Sequence, residues 1–126
     1  MPAYHTIQFE YSSADDAWEF DSDGNPRCPG SRSLVQQVIT LLKARKIQCT
    51  DFEQHSYYGW GFTTEYRGSK IYHVINPTPP HIALTFQIEP YVLLSLLLKR
   101  PNRLRVDYAR LLKELLADIA EIRNIQ

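Results

Sequence analysis

The chain has 126 residues, with 14 basic and 14 acidic side chains and two cysteines. That length fits a single domain over residues 1–126, able to bury about two thirds of its extended surface, and zero net charge argues against nucleic acid, whose phosphates call for excess positive charge. Cys28 and Cys49 form no Cys-x-x-Cys pair and point to free thiols in a reducing cytoplasm, the amino terminus carries no signal-peptide pattern, and the apolar run from Tyr91 to Leu98 is less than half of the ~20 residues a membrane span needs.

Taken in chain order, residues 4–11 read as a first strand, because Ile7, Phe9 and Tyr11 alternate with Thr6, Gln8 and Glu10. A polar connection over residues 12–30 follows, with Trp18 and Phe20 as its anchors and Asp15, Asp16, Asp21 and Asp23 giving it an acidic character. Within it, Asp21-Ser22-Asp23-Gly24-Asn25 resembles the start of a calcium loop. Pro26 stands where that loop needs glycine and Arg32 where it needs the bidentate glutamate, so a polar surface turn is the better reading.

Ser33 and Gln36 have capping-box spacing, and Leu34, Val35, Val38, Ile39, Leu41 and Leu42 recur at helical intervals to about Arg45. A short extended segment at 47–50 and a polar stretch through His55 come next. Then Trp60, Phe62, Thr64 and Tyr66 share one side of a strand. Gly68-Ser69 suits a type II′ hairpin to a strand at 70–76, a register that sets Tyr66 opposite Ile71, Thr64 opposite His73 and Phe62 opposite Ile75. Prolines 77, 79 and 80 end that strand, and residues 81–89 form another with Ile82, Leu84, Phe86 and Ile88 on one face. Pro90 and Pro101 bracket a short helix-like piece, and Val106, Leu112, Leu115, Leu116 and Ile119 form the apolar stripe of a helix over about 103–118. The expected fold is α+β, two-layered, with a mainly antiparallel sheet of about four strands and two long helices on one face, in the order β-α-β-β-β-α.

The string Tyr-Gly-Trp-x-Phe at 58–62, between a helix with its acidic stretch and a hairpin, together with a C-terminal helix ending Ala-Asp-Ile-Ala-Glu-Ile-Arg-Asn-Ile at 117–125, resembles a group of small uncharacterised bacterial α+β proteins over residues 31–125. That resemblance supports a fold and brings no catalytic residues. Such proteins are also similar to toxin-immunity proteins, by analogy of fold.

The chemistry-bearing residues give no catalytic assignment. His5, His55, His73 and His81 lack metal-ligand spacing, and His73 falls on the core-facing side as a hydrogen-bonded structural residue. Neither a Gly-x-Ser-x-Gly elbow nor a glycine-rich phosphate loop occurs, so no metal and no cofactor is expected. The basic residues Lys99, Arg100, Arg103 and Arg105 lack interleaved aromatics and read as a cluster that is solvated or pairs locally with Asp107 and Glu114.

Three functions compete on these grounds. The first is a non-enzymatic, cytoplasmic protein-binding module, immunity- or antitoxin-like, engaging its partner through Asp15, Asp16, Asp21 and Asp23 and through Tyr57, Tyr58 and Tyr72. The second is a small-ligand or hydrolytic protein with a pocket at His55 and Trp60. The third is a structural homo-oligomer that buries the 91–98 run between subunits.

Overall fold

A computed structural model describes residues 4–11, 18–28, 30–56, 59–78, 81–88 and 100–126. Its elements in chain order are β1 (Tyr4–Tyr11), β2 (Glu19–Phe20), β3 (Pro26–Cys28), α1 (Arg32–Ala44), β4 (Gln48–Cys49), β5 (Glu53–Ser56), β6 (Gly59–Tyr66), β7 (Ser69–Thr78), β8 (His81–Ile88), α2 (Arg100–Ala117) and β9 (Ile122–Arg123). The expectation of about four strands under two long helices is corrected. Seven antiparallel strands curl into a half-barrel, in the order β4-β6-β7-β8-β1-β9 with β5 also on β6, and β2 and β3 form a separate ribbon.

The physical reason is that the extra strands are short edges. β4, β5 and β9 hold two to four residues each, too few for an alternating pattern, and what makes them strands is the partner they pair with. β9 is the clearest case. Ile122, beyond the helix expected over about 103–118, pairs with Tyr11, and the Gln126 N–H donates to the Gln8 carbonyl at 2.7 Å.

The inward parity of the long strands is as the alternation predicts. Trp60, Phe62, Ile75, Leu84 and Phe86 are buried with Ile7, Phe9 and Ile82 in one cluster that also holds Leu34, Val35, Val38 and Leu42 of α1 and Tyr108, Leu112, Leu115 and Leu116 of α2. Val106 is an exception to the expected stripe. It is 51% exposed, and Tyr108 takes the buried place instead.

The hairpin turn differs from the sequence reading by one residue. Arg67 and Gly68, with φ of 50° and 81°, form the two-residue loop of type I′ geometry, whose twist matches that of the flanking strands. Thr64 therefore faces Ile71, Phe62 faces His73 and Trp60 faces Ile75. The register moves by two residues, which leaves every side chain on its expected face. Arg67 is held in this conformation by an ion pair with Asp107 of α2 at 2.9 Å and by stacking on Tyr66. β7 also continues through Pro77, which lies past the last β6–β7 pair, Trp60 with Ile75. There one side of the strand is an edge that tolerates a residue without N–H.

α1 begins two residues earlier than the capping box indicates. Ser31 is the N-cap, in a left-handed conformation and without a side-chain capping bond, while the Ser33 hydroxyl lies 3.0 Å from the Tyr11 phenol. The helix ends in a Schellman motif: the Ile47 N–H donates to Leu42 and the Lys46 N–H to Lys43, with Lys46 at φ 63° in the position that favours glycine.

Candidate functional site

The β2–β3 ribbon is built around one carboxylate. Asp21 Oδ1 accepts the backbone N–H groups of Asp23 and Asn25, both at 2.9 Å, and the Asp21 N–H donates to the Asn25 carbonyl. The sequence that resembles a calcium loop is thus an exposed turn whose first ligand-type residue is occupied by its own backbone. Closing the turn in this way holds Glu19, Phe20 and Asp23 outward. Phe20 is 58% exposed, and its ring stacks on Trp18 with centroids 6.4 Å apart.

Two cross-strand neighbours on the main sheet hold the ribbon's return strand. Gln54 and Trp60 face each other across β5 and β6. The Gln54 amide donates to the Arg27 carbonyl at 3.0 Å, and the Trp60 indole N–H donates to the Gly30 carbonyl at 2.8 Å. Trp60 itself is buried, with Phe52 edge-on to its ring at 5.4 Å and the Arg32 guanidinium over its face at 5.2 Å.

His55 and Trp60, expected to share a pocket, point to opposite sides of the sheet. Trp60 faces the core. His55 is exposed on the outer face, beside Gly61, and shares a 2.9 Å hydrogen bond with the Tyr72 hydroxyl. The Tyr72 ring reaches His55 by crossing Gly61, where a Cβ would stand 2.5 Å from the phenol oxygen. Burial, helped by the negative charge of Glu53, raises the Tyr72 phenol above its usual range, so it stays protonated and is no nucleophile.

The buried polar centre lies elsewhere. His73 of β7 is fully buried, stacked on Phe62 with centroids 4.3 Å apart. Its Nδ1 faces the Phe62 carbonyl at 3.3 Å; a carbonyl only accepts, so Nδ1 carries the proton and Nε2 is left as an acceptor. The Tyr108 hydroxyl donates to Nε2 at 2.7 Å and accepts from Thr64 at 3.0 Å. Desolvation lowers the His73 pKa to about 3 against the opposing pull of its backbone hydrogen bonds, and raises that of Tyr108, so both are neutral. The relay ties α2 to two strands through groups in their uncharged forms. The expectation of a structural histidine at 73 is met. Its partner Tyr108 was missed, although a tyrosine at helical spacing from Leu112 and Leu115 is the signal that marks it.

The remaining candidates are dispersed. Lys43, Lys46, Ile47, Gln48 and Cys49 line a shallow open depression where α1 runs into β4. The Cys49 thiol there donates to the Ile47 carbonyl and is raised in pKa by burial, in spite of Lys43, which makes it a poor thiolate. Asp107 pairs with Arg67, and Glu114 and Asp118 with Arg45, so among the described residues these acids do not pair with Arg103 or Arg105. Asp15, Asp16, Tyr57, Tyr58 and the 91–98 run lie outside the described residues. Among the described residues no group of three metal-ligating side chains gathers, and no described helix is long and apolar enough to cross a membrane. Comparison of the chain with protein-family models, curated proteins and solved structures found no match.

Proposed function

We propose that this chain is a non-enzymatic, cytoplasmic protein-binding module, with the role of an immunity or antitoxin-like inhibitor, and that the β2–β3 ribbon is the part that meets the partner. One observation carries the reading: a phenylalanine 58% exposed, backed by Trp18 and flanked by the exposed carboxylates of Glu19, Asp21 and Asp23. An aromatic held in water costs solvation that a binding partner recovers, and a ring of like charges selects a basic partner and keeps other hydrophobic surfaces away. The ribbon is pinned by Gln54 and Trp60, so little ordering entropy remains to be lost on binding. The free thiol of Cys49 fits a reducing compartment.

The test is affinity capture from the native host with the wild-type chain, Phe20→Ala and the double variant Glu19→Lys/Asp23→Lys. The reading expects a stoichiometric companion that both variants lose while their melting temperatures stay at the wild-type value. A companion retained by both variants, or none at all, would reject the ribbon as the site for a host partner.

A further inference from the structure

The most exposed large hydrophobic side chains among the described residues are two, Phe20 at 58% and Val106 at 51%, and they sit in surroundings of opposite charge. Around Phe20 are Glu19, Asp21 and Asp23. Around Val106, on the solvent face of α2, helical spacing puts Arg103, Arg110 and Lys113 at i−3, i+4 and i+7. The acids on that helix are engaged, Asp107 by Arg67 and Glu114 by Arg45. Arg103 and Arg110 make no ion pair among the described residues, and neither do Glu19 and Asp23. The positive field at α2 is also felt by His5, whose pKa is lowered by burial, Lys113 and Arg105.

We infer that the ribbon's partner includes a second copy of this chain, with Phe20 and its carboxylates of one molecule seated on Val106 and the arginines of α2 of the next. This rests on the protein-binding reading of the ribbon and names its occupant. Each patch offers what the other lacks, a lone apolar centre inside a rim of opposite charge, which is the arrangement that gives specificity at an interface. One molecule cannot satisfy itself. The ribbon is held by Gln54 of β5, which pairs with the Gly59 end of β6, whereas Asp107, the neighbour of Val106 on α2, is fixed by Arg67 beyond the Tyr66 end of that same strand. The contact joins two different patches, so two copies can exchange it twice about a two-fold axis, or successive copies can repeat it head to tail into rings or open chains. A chain of zero net charge with its charges segregated in this way has little long-range repulsion to oppose the assembly.

Sedimentation velocity of the full chain, from about 10 μM to about 1 mM, reads the outcome. The weight-average mass should rise above the 14.7 kDa monomer with concentration at low salt and fall back at about 0.5 M salt, where exposed charges are screened. Phe20→Ala should weaken association about tenfold or more. Charge reversal supplies the specific signature: Glu19→Lys/Asp23→Lys and Arg103→Glu/Arg110→Glu should each be monomeric alone, and an equimolar mixture should associate, because each acidic patch then finds a basic one. A wild-type chain that stays monomeric throughout overturns the inference, as does association that Phe20→Ala leaves unchanged or a mixture that stays monomeric. The first result leaves the ribbon reading intact if a host companion is still captured through Phe20. Failure of that capture with self-association present would instead confine the ribbon to binding its own kind.

Discussion

His73 makes acid stability the sharpest test of the core. The histidine titrates near 6.5 in an unfolded chain and at about 3 in the folded one, and each pKa unit corresponds to about 1.36 kcal/mol. Above pH 6.5 both states are neutral at this residue and its full contribution is present. Between pH 6.5 and 3 only the unfolded chain binds the proton, so stability falls with pH at up to about 1.4 kcal/mol per pH unit, for a total of order 5 kcal/mol. Protonation in place is disfavoured because the imidazole is surrounded by the rings of Phe62, Phe86 and Tyr108, and no carboxylate among the described residues pairs with it. The assay is urea unfolding of the wild type and His73→Phe at several pH values between 4 and 7.5. The variant keeps the stacking ring but leaves the Tyr108 hydroxyl one partner short, which should cost about 1–3 kcal/mol at neutral pH. Its stability should then decline less steeply, so that the gap closes between about pH 6 and pH 4 and is reversed below the crossing. Carboxylates elsewhere titrate equally in both proteins and cancel in the difference. Parallel pH curves for the two proteins would refute the reasoning, and so would a His73 ring resonance that shifts between pH 7 and 5.

Lys46→Gly should stabilise the chain by about 1 kcal/mol, read as a rise in urea midpoint at constant slope, because Lys46 occupies the left-handed C′ position of the Schellman motif at φ 63°. Gly59→Ala should lower the melting temperature more than Gly61→Ala. A Cβ at 59 meets the Ile75 carbonyl at 3.1 Å as well as Asn76, whereas at 61 it meets the far end of the Tyr72 side chain, which can swing aside; equal losses would count against this account. Trp60→Phe should cost about 1–3 kcal/mol by leaving the Gly30 carbonyl without its indole donor, and amide hydrogen exchange in the 26–30 segment should accelerate with it. Unchanged exchange there would mean that the ribbon is held by other contacts.

The faces of the long strands and of α1 are legible in the sequence because they depend on local periods. Alternation at Trp60, Phe62, Ile75, Leu84 and Phe86 places all five in the core, and the 3.6-residue period does the same for Leu34, Val38 and Leu42. What escapes is set by distant partners. The short extended segment expected at 47–50 is β4, but β5 exists because Glu53 and Gln54 meet Gly61 and Trp60, and β9 because Ile122 meets Tyr11; neither of these has a local cause. Val106 and Tyr108 illustrate the limit within a single helix. The apolar residue faces water and the polar-tipped one is buried, because only Tyr108 can supply the hydroxyl that Thr64 and His73 require. In the candidate site, Asp21 and Asp23 lie in the expected acidic segment, but the exposure of Phe20, read from the sequence as an anchor, follows from the turn that Asp21 closes.

The hairpin shows why such errors stay hidden from pattern reasoning. Moving the turn from Gly68-Ser69 to Arg67-Gly68 shifts the register by two residues, so no side chain changes face and the hydrophobic pattern cannot distinguish the alternatives. The choice falls to the turn itself, where placing a non-glycine residue at φ 50° costs about 1 kcal/mol. Arg67 offsets that cost by lying over its neighbour Tyr66 and through an ion pair with Asp107 that exists only after α2 has docked. The same docking brings Tyr108 to His73 and turns Val106 and its arginines outward. Register, the buried relay and the exposed basic face of α2 are therefore consequences of one packing event, and a change that frees α2 from the sheet should disturb all three together.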